Sequence, residues 1–215
     1  TTLAAMIDEI NTKVSGHILT IEDPIEFVHT RKKCLISQRE IGTHSPSFST
    51  ALLSALREDP DVILVGELRD YETMSIAVTA AEMGILVMGT LHTNGAAATV
   101  DRMVNSFPAD KQSHVRAMLS TSLRGVISQQ LIPRASKKGR VAALEIMVNT
   151  PAVANLIRQG KLDQLENTMQ SGSQHGMRVM DSAIQELLDK GVINGKEAYK
   201  KAINKAKFEE FKDRG

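Results

Sequence analysis

Apolar positions along the 215-residue chain follow two rhythms in alternation. In "TTLAAMIDEIN", Leu3, Met6, Ile7 and Ile10 share one helical face, which predicts a helix at the start of the chain. A continuous apolar run follows, "HILTI" (17–21), ending at "EDPIEF"; its β-branched residues predict a buried strand. Helical spacing returns in "SFSTALLSALRED" (47–59) through Phe48, Leu52, Leu53 and Leu56, and "DVILV" (61–65) is a second apolar run. Asp70 is placed to cap a helix over "YETMSIAVTAAEM", with Gly84 suited to its exit. "ILVMGT" (85–90) predicts a third strand, helices are expected over about 95–105 and 109–129, and "RVAALEIM" (140–147) predicts a fourth strand. None of the four runs alternates as a half-solvated strand would, and helices separate them. That pattern predicts an α/β fold whose mostly parallel sheet is covered on both faces.

Beyond residue 148 the strand-like runs cease. Thr150-Pro151 reads as a helix cap followed by Pro at the first helical position. "PAVANLIRQ" starts a helical run, "SGSQHG" (171–176) breaks it, and "MDSAIQELLDKG" puts Met180, Ile184, Leu187 and Leu188 on one face with Gly191 as the stop. The tail "KEAYKKAINKAKFEEFKDRG" mixes Lys and Glu at helical spacing. Residues 1–148 are therefore expected to form the α/β core and residues 149–215 an all-helical subdomain.

Open parallel sheets bind ligands at the carboxyl ends of their strands. Glu22, Glu26, Glu67 and His92 each follow the end of a predicted strand, so they are expected to converge on one rim. "VILVGE" is an apolar strand ending in an acid, the Walker B arrangement, which holds a carboxylate beside magnesium or an attacking water in phosphoryl transfer. Many buried strands end in an acid without such a role. "TIEDPIEF" gathers Glu22, Asp23 and Glu26 around Pro24; clustered carboxylates need a cation or a proton to coexist, or else form a solvated acidic turn. In "LVMGTLHTN", His92 stands where an imidazole could meet a terminal phosphate, although a lone His is also an ordinary surface residue. Arg57, Arg69 and Arg102 lie near these segments; each alone reads as a salt-bridge partner, and together they offer a cation for developing charge. His17, His29, His44, His114 and His175 show no zinc-ligand spacing and receive no role.

Composition narrows the field. Net charge is +1 and the isoelectric point about 7.8, which gives no field suited to nucleic acid or an anionic membrane. With no Trp and 3% aromatics, base-stacking platforms are hard to build. The single Cys34 excludes a disulfide framework and a multi-cysteine zinc site. No apolar run approaches the roughly 18 residues of a membrane span, and no signal peptide is visible.

The same residues resemble a family. "ILTIEDPIEF" is similar to the Asp box of the secretion ATPase superfamily, "DVILVGELRD" to its Walker B box and "GTLHTNGAAATVDR" to its His box; "ISQQLIPR" and "GRVAALEIMVNTPAV" extend the likeness over nearly the whole chain. Within that superfamily the resemblance is to the PilT-like retraction motors of type IV pili. It implies a RecA-like P-loop NTPase core, ATP and Mg2+ as cofactors, and a homo-hexamer acting with the pilus machinery and its inner-membrane platform protein. It also implies a cytoplasmic location at the inner membrane, with no nucleic acid partner and no transmembrane segment. In the family pattern a Walker A loop ending in Gly-Lys-Ser immediately precedes "TTLAAM", so the chain is expected to begin just after the phosphate loop, with Thr1 and Thr2 opening the following helix. The resemblance makes Glu26 the carboxylate that polarises the attacking water, Glu67 the acid near magnesium and His92 a γ-phosphate sensor. Glu22, Asp23, Arg57, Arg69 and Arg102 are expected near nucleotide. One departure stands out: where the family carries "AIRNLIRE", this chain has "AVANLIRQ" (152–159), with Ala154 for Arg and Gln159 for Glu.

Three alternatives share parts of this pattern. Type II secretion and pilus assembly ATPases add a tetracysteine zinc module, which one Cys cannot supply. A non-catalytic ring subunit would tolerate loss of Glu26, Glu67 or His92, all present here. A RecA-like nucleic-acid translocase would show a basic channel.

Overall fold

The computed structural model describes residues 1–136 and 138–212. They divide into two compact units, the first comprising Thr1–His92 with Ser106–Lys111, the second Thr93–Asn105 with the described chain from Gln112 onward.

The first unit opens with α1 (Thr2–Lys13), which leads into β1 (His17–Glu22). β2 (Leu35–Glu40), α2 (Phe48–Ala55), β3 (Val62–Val65), α3 (Tyr71–Glu82) and β4 (Leu86–Gly89) follow. The four strands are parallel, in the order β2-β1-β3-β4. One face of the sheet packs Ile18, Val62 and Leu64 under Ile7 of α1, flanked by Leu3, Ile10, Ile36 and Met88. On the opposite face Leu19, Ile21, Ile63 and Val65 are fully buried, and α2 lies against β1 and β3. Burial on both faces explains why β1 and β3 read as unbroken apolar runs. Asp70 caps α3 as expected, accepting from the Thr73 amide at 2.8 Å, and Gly84 leaves the helix at φ +98°.

β2 has no counterpart among the runs read from the sequence. "LISQRE" lies at the margin of the sheet with five of its six side chains half-buried, so no apolar run marks it. β4 is also marginal: Leu86 is 37% exposed, where a fully covered strand was expected.

The second unit contains α4 (Ala96–Asn105), α5 (Gln112–Ser122), β5 (Gly125–Pro133), β6 (Arg140–Val148), α6 (Pro151–Gln159), α7 (Leu165–Ser171), α8 (Met180–Asp189) and α9 (Gly195–Lys201). The helix expected to run to residue 129 stops at 122, and β5 takes its place. Val126, Ser128 and Ile132 point inward at a period of two, a strand rhythm that a polar Ser and Gln pair disguises. β6 is likewise not a fourth parallel strand: it pairs antiparallel with β5, Gly125 opposite Val148 and Pro133 opposite Arg140. Thr150 caps α6 with Pro151 in its first turn, and Gly160 ends it at φ +70°. After α9 the chain forms 3-10 turns over Lys205–Phe211 rather than a continuous helix; residues 213–215 of the expected helical region lie outside the described residues.

The division differs from the expected boundary at 148. Ile132 and Ala143 of the β5–β6 hairpin share one core with Met180, Ala183, Ile184, Ile193, Ala198 and Phe208, so the hairpin belongs with the C-terminal helices. Two buried carboxylates tie this unit together. Glu145 accepts from the amides of Ala96 (2.7 Å) and Met180 (3.2 Å), the first residues of α4 and α8. Asp181 accepts from Ile203 (2.7 Å) and Asn204 (2.9 Å). Among the described residues no helix is long and apolar enough to cross a membrane.

Ile63 is fully buried at the centre of the sheet, whereas Leu35 is 49% exposed. Ile63→Ala is expected to lower stability by about 2–5 kcal/mol, read as a lower urea midpoint at unchanged slope. Leu35→Ala is expected to stay within about 1 kcal/mol of the parent.

Candidate active site

The strand order reverses between β1 and β3. The connection from β1 turns to β2 on one side, and that from β3 passes through α3 to β4 on the other. The two loops part there at the carboxyl edge of the sheet, the position where open α/β sheets bind ligands.

Glu67 enters that edge two residues beyond β3. The turn is laced to both neighbours: the Gly66 amide donates to Ile21 carbonyl at 2.7 Å, the Leu68 amide to Thr90 carbonyl at 2.9 Å, and the Thr90 hydroxyl donates to Gly66 carbonyl. A Cβ at Gly66 would sit 3.2 Å from the Ile21 carbonyl oxygen and 3.4 Å from Glu22 Cα, so a side chain there would crowd the backbone of β1 and glycine fits the close turn best. The Glu67 carboxylate, 16% exposed, lies 2.9 Å from His92 Nε2 and is ion-paired with Arg69 Nε. Its pKa is held below the usual carboxylate range, chiefly by the Arg69 hydrogen bond. Burial opposes this, and the Arg69 and His92 charges assist it. Arg69 is correspondingly raised by Glu67, with a smaller contribution from Asp23. Arg69 and His92 are themselves 72% and 84% exposed, so the cluster opens to solvent on the side away from the sheet.

Glu26 sits on the 23–34 connection between β1 and β2. It is exposed and has no hydrogen-bond or ion-pair partner among the described residues. Glu22 ends β1 at this edge, where its Oε1 accepts from the Thr20 hydroxyl (2.7 Å) and the Gln38 amide (3.2 Å), which ties it to the β1–β2 pair. Thr1 and Thr2 stand at the head of α1. The other end of α1 lies at the amino edge of the sheet, where Asn11 carbonyl accepts from the Lys33 amide, so the head points toward the carboxyl edge. Its first-turn amides lack intrahelical partners and favour an anion.

One expected residue of the first unit does not join this group. Arg57 lies on the 3-10 turn Leu56–Glu58, and the neighbouring Glu58 carbonyl is 3.2 Å from His17 Nδ1 at the start of β1. That is the amino edge, one strand length from Glu67, because α2 runs back antiparallel to the strands. Arg102 lies on α4 in the second unit. Conversely, Gln38 and Glu40 of β2 grip the Glu26 loop and were not singled out from the sequence. Their only signal is two hydrogen-bonding side chains two residues apart, on one face of a strand.

A parallel α/β sheet with its acidic and imidazole groups gathered at the carboxyl switch point defines the class as a RecA-like α/β domain. Comparison with known proteins narrows this. Residues 1–210 match the family described as Type II/IV secretion system protein. The chain is 57% identical over 204 residues to a twitching motility protein of Neisseria gonorrhoeae, covering 95% of this chain and 54% of that protein. It is 56% identical over 202 residues to the type IV pilus retractation ATPase PilT of Pseudomonas aeruginosa, covering 94% and 58%. The crystal structure of the pilus retraction motor PilT with bound ADP superposes with a TM-score of 0.90 at 46% identity, covering 98% of this chain and 59% of that one. The chain belongs to the Type II/IV secretion system protein family. It spans a little over half the length of the curated relatives it matches, 54% and 58%.

The Arg69–Glu67 pair carries a pH dependence. Glu67's folded pKa lies below its unfolded value, so the pair's contribution is present above the ordinary carboxylate value, about 4.3, and is lost as pH falls through the folded pKa. Arg69→Ala is expected to return the Glu67 carboxyl toward the ordinary range, read by carboxyl 13C chemical shift, and to make stability fall less between about pH 7 and about pH 3.

Proposed function

We propose that the chain is the larger part of the ATPase domain of a hexameric motor that powers type IV pilus retraction. The observation that carries this reading is the Glu67–His92–Arg69 cluster at the switch-point rim, together with a Glu26 that has no partner among the described residues on the loop leaving β1 at the same edge. The 56–57% identity to proteins named for pilus retraction and twitching motility supports the particular motor. The residues present fit a nucleoside triphosphate with magnesium. The head of α1 points its first-turn amides toward phosphate, and Glu67 offers one carboxylate, the usual share of a protein in a magnesium site completed by phosphates and water. Mg-ATP, when bound, would supply the scissile phosphoanhydride and a metal charge that neutralises the negative charge developing on the phosphate oxygens.

Within that frame each side chain has a task. Glu67, kept ionised by Arg69 and His92, would offer a charged carboxylate oxygen to magnesium or its water at neutral pH. Glu26 has lone pairs free to accept the proton of an attacking water. His92, exposed and 2.9 Å from Glu67, would be free to turn its imidazole toward a terminal phosphate. Arg69 compensates the charge of Glu67, and the Asp23 carboxylate is close enough to favour the charged guanidinium as well. Arg57, at the far edge of the sheet, fits contact with a neighbouring subunit better than contact with its own site. Hexamer formation, the inner-membrane platform partner and the cytoplasmic face of the inner membrane as location belong to the same proposal.

The deciding measurement is Mg-dependent ATP turnover of the full-length protein, with oligomer mass by light scattering. Glu26→Ala and Glu67→Ala are each expected to lower kcat by about two orders of magnitude or more while leaving the ring assembled. A ring of six with no turnover in the parent would indicate a non-catalytic subunit instead.

The α6 departure makes a separate expectation. Ala154 is half-buried, and Gln159 is exposed with its amide on Asn155 Oδ1 at 3.1 Å. Ala154→Arg is expected to alter pilus retraction in a complementation assay with the ATPase rate unchanged within about twofold. A parallel change in both would place residue 154 in hydrolysis rather than in its coupling to work.

A further inference from the structure

We propose that Gln38 and Glu40 of β2 are positioning residues for Glu26, acting as a two-point clasp on the loop that carries it. This rests on the proposed role of Glu26 as the acceptor of the water proton.

Parallel neighbours such as β1 and β2 are usually joined through a helix that packs the connection in place. Here residues 23–34 join them with no helix or strand. Apolar burial does not hold the tip, since Phe27 is 45% and Val28 88% exposed. Glu26 makes no polar contact of its own among the described residues, so its backbone on either side decides where the carboxylate lies.

Both flanking peptides are gripped. Glu40 Oε2 accepts from the Ile25 amide at 2.9 Å. Gln38 Nε2 donates to the Phe27 carbonyl at 2.8 Å, and Gln38 Oε1 accepts from the His29 amide at 2.9 Å. The two side chains share one face of β2, two residues apart. β2 is registered on the central strand, Gln38 opposite Thr20 and Glu40 opposite Glu22. A further bond runs from Gln38 Nε2 to Glu22 Oε1 at 3.2 Å, and Glu22 is itself fixed by the Thr20 hydroxyl. The clasp therefore transmits the position of the buried strand to the loop. Glu40 is anchored by the Thr43 hydroxyl at 3.1 Å, and the Ile25 amide is the main reason its pKa lies below the usual range. At the far end of the loop, Asn11 holds the Thr30 carbonyl and the Lys32 and Cys34 amides. A carboxylate aimed by its backbone keeps every lone pair for water, which a carboxylate aimed by its own hydrogen bonds cannot.

The test uses the full-length protein with Mg-ATP and the variants Gln38→Leu, Glu40→Ala and Glu40→Gln, each alone and with Glu26→Ala. Gln38→Leu and Glu40→Ala are expected to lower kcat roughly 10- to 100-fold, with KM for ATP within about threefold, as displacement of a reacting group does. Glu40→Gln is expected to keep kcat within about threefold, because its amide oxygen still accepts from Ile25. In the Glu26→Ala background neither Gln38→Leu nor Glu40→Ala should cause further loss. Equal losses with and without Glu26, or equal impairment by Glu40→Gln and Glu40→Ala, would show a general structural role and overturn the proposal. If Gln38→Leu does not fold, the two Glu40 variants alone decide between these outcomes. An unimpaired Glu26→Ala would sink the role of Glu26 itself. An impaired Glu26→Ala beside unimpaired clasp variants would sink only the clasp.

Discussion

β1 and β3 turn almost no side chain toward water, and the arrangement of the first unit follows from that burial. Strands covered on both faces must satisfy their backbone in the ladder and carry apolar side chains on both sides. Polar chemistry then has room only where the strands end. Because all four run parallel, their carboxyl ends lie together. One edge thus receives Glu26, Glu67 and His92, although 66 residues separate the first from the last along the chain. Gly66 sharpens this constraint. It allows the Glu67 turn to lie against β1, so that the acid leaves the sheet within reach of the residues that follow β4.

The carboxylates at this edge are managed in different ways. Glu67 is compensated by Arg69 and His92 and is thereby held ionised. Glu22 is turned into the β1–β2 pair by a hydroxyl and an amide. Glu26 is left bare, with its loop held through backbone groups instead. Two of these acids thus have partners of their own, and Glu26 alone of the three keeps its carboxylate uncommitted among the described residues.

The second unit uses buried carboxylates for another purpose. Glu145 lies among apolar residues of the β5–β6 hairpin, yet its two oxygens take the first amides of α4 and α8. Asp181 does the same for the turn after α9. Helix heads present unpaired amides and a positive dipole end, so a buried acid is stable there without a basic partner. The hairpin is drawn into one core with the C-terminal helices and so falls in the second unit rather than with the parallel sheet.

Elements with strong local signals were legible in the sequence alone: the apolar runs of β1 and β3, the Asp70 cap of α3, and the Thr150-Pro151 start of α6. So were the acids that end the buried strands, because burial on both faces writes itself as a continuous run. β2 and β5 were not legible. Each is half-solvated and carries Ser and Gln at positions whose burial depends on what packs across from them. The placement of Arg57 at the opposite edge from Glu67 also required the fold, since direction reverses along α2 and sequence proximity to a motif says nothing of it. The grip of Gln38 and Glu40 on the Glu26 loop lies deepest in tertiary structure. It exists only because β2 pairs in parallel beside β1 and brings side chains 12 and 14 residues downstream of Glu26 back to its own backbone. Local periodicity determines which segments are buried; pairing and register, which are long-range, determine which polar groups meet.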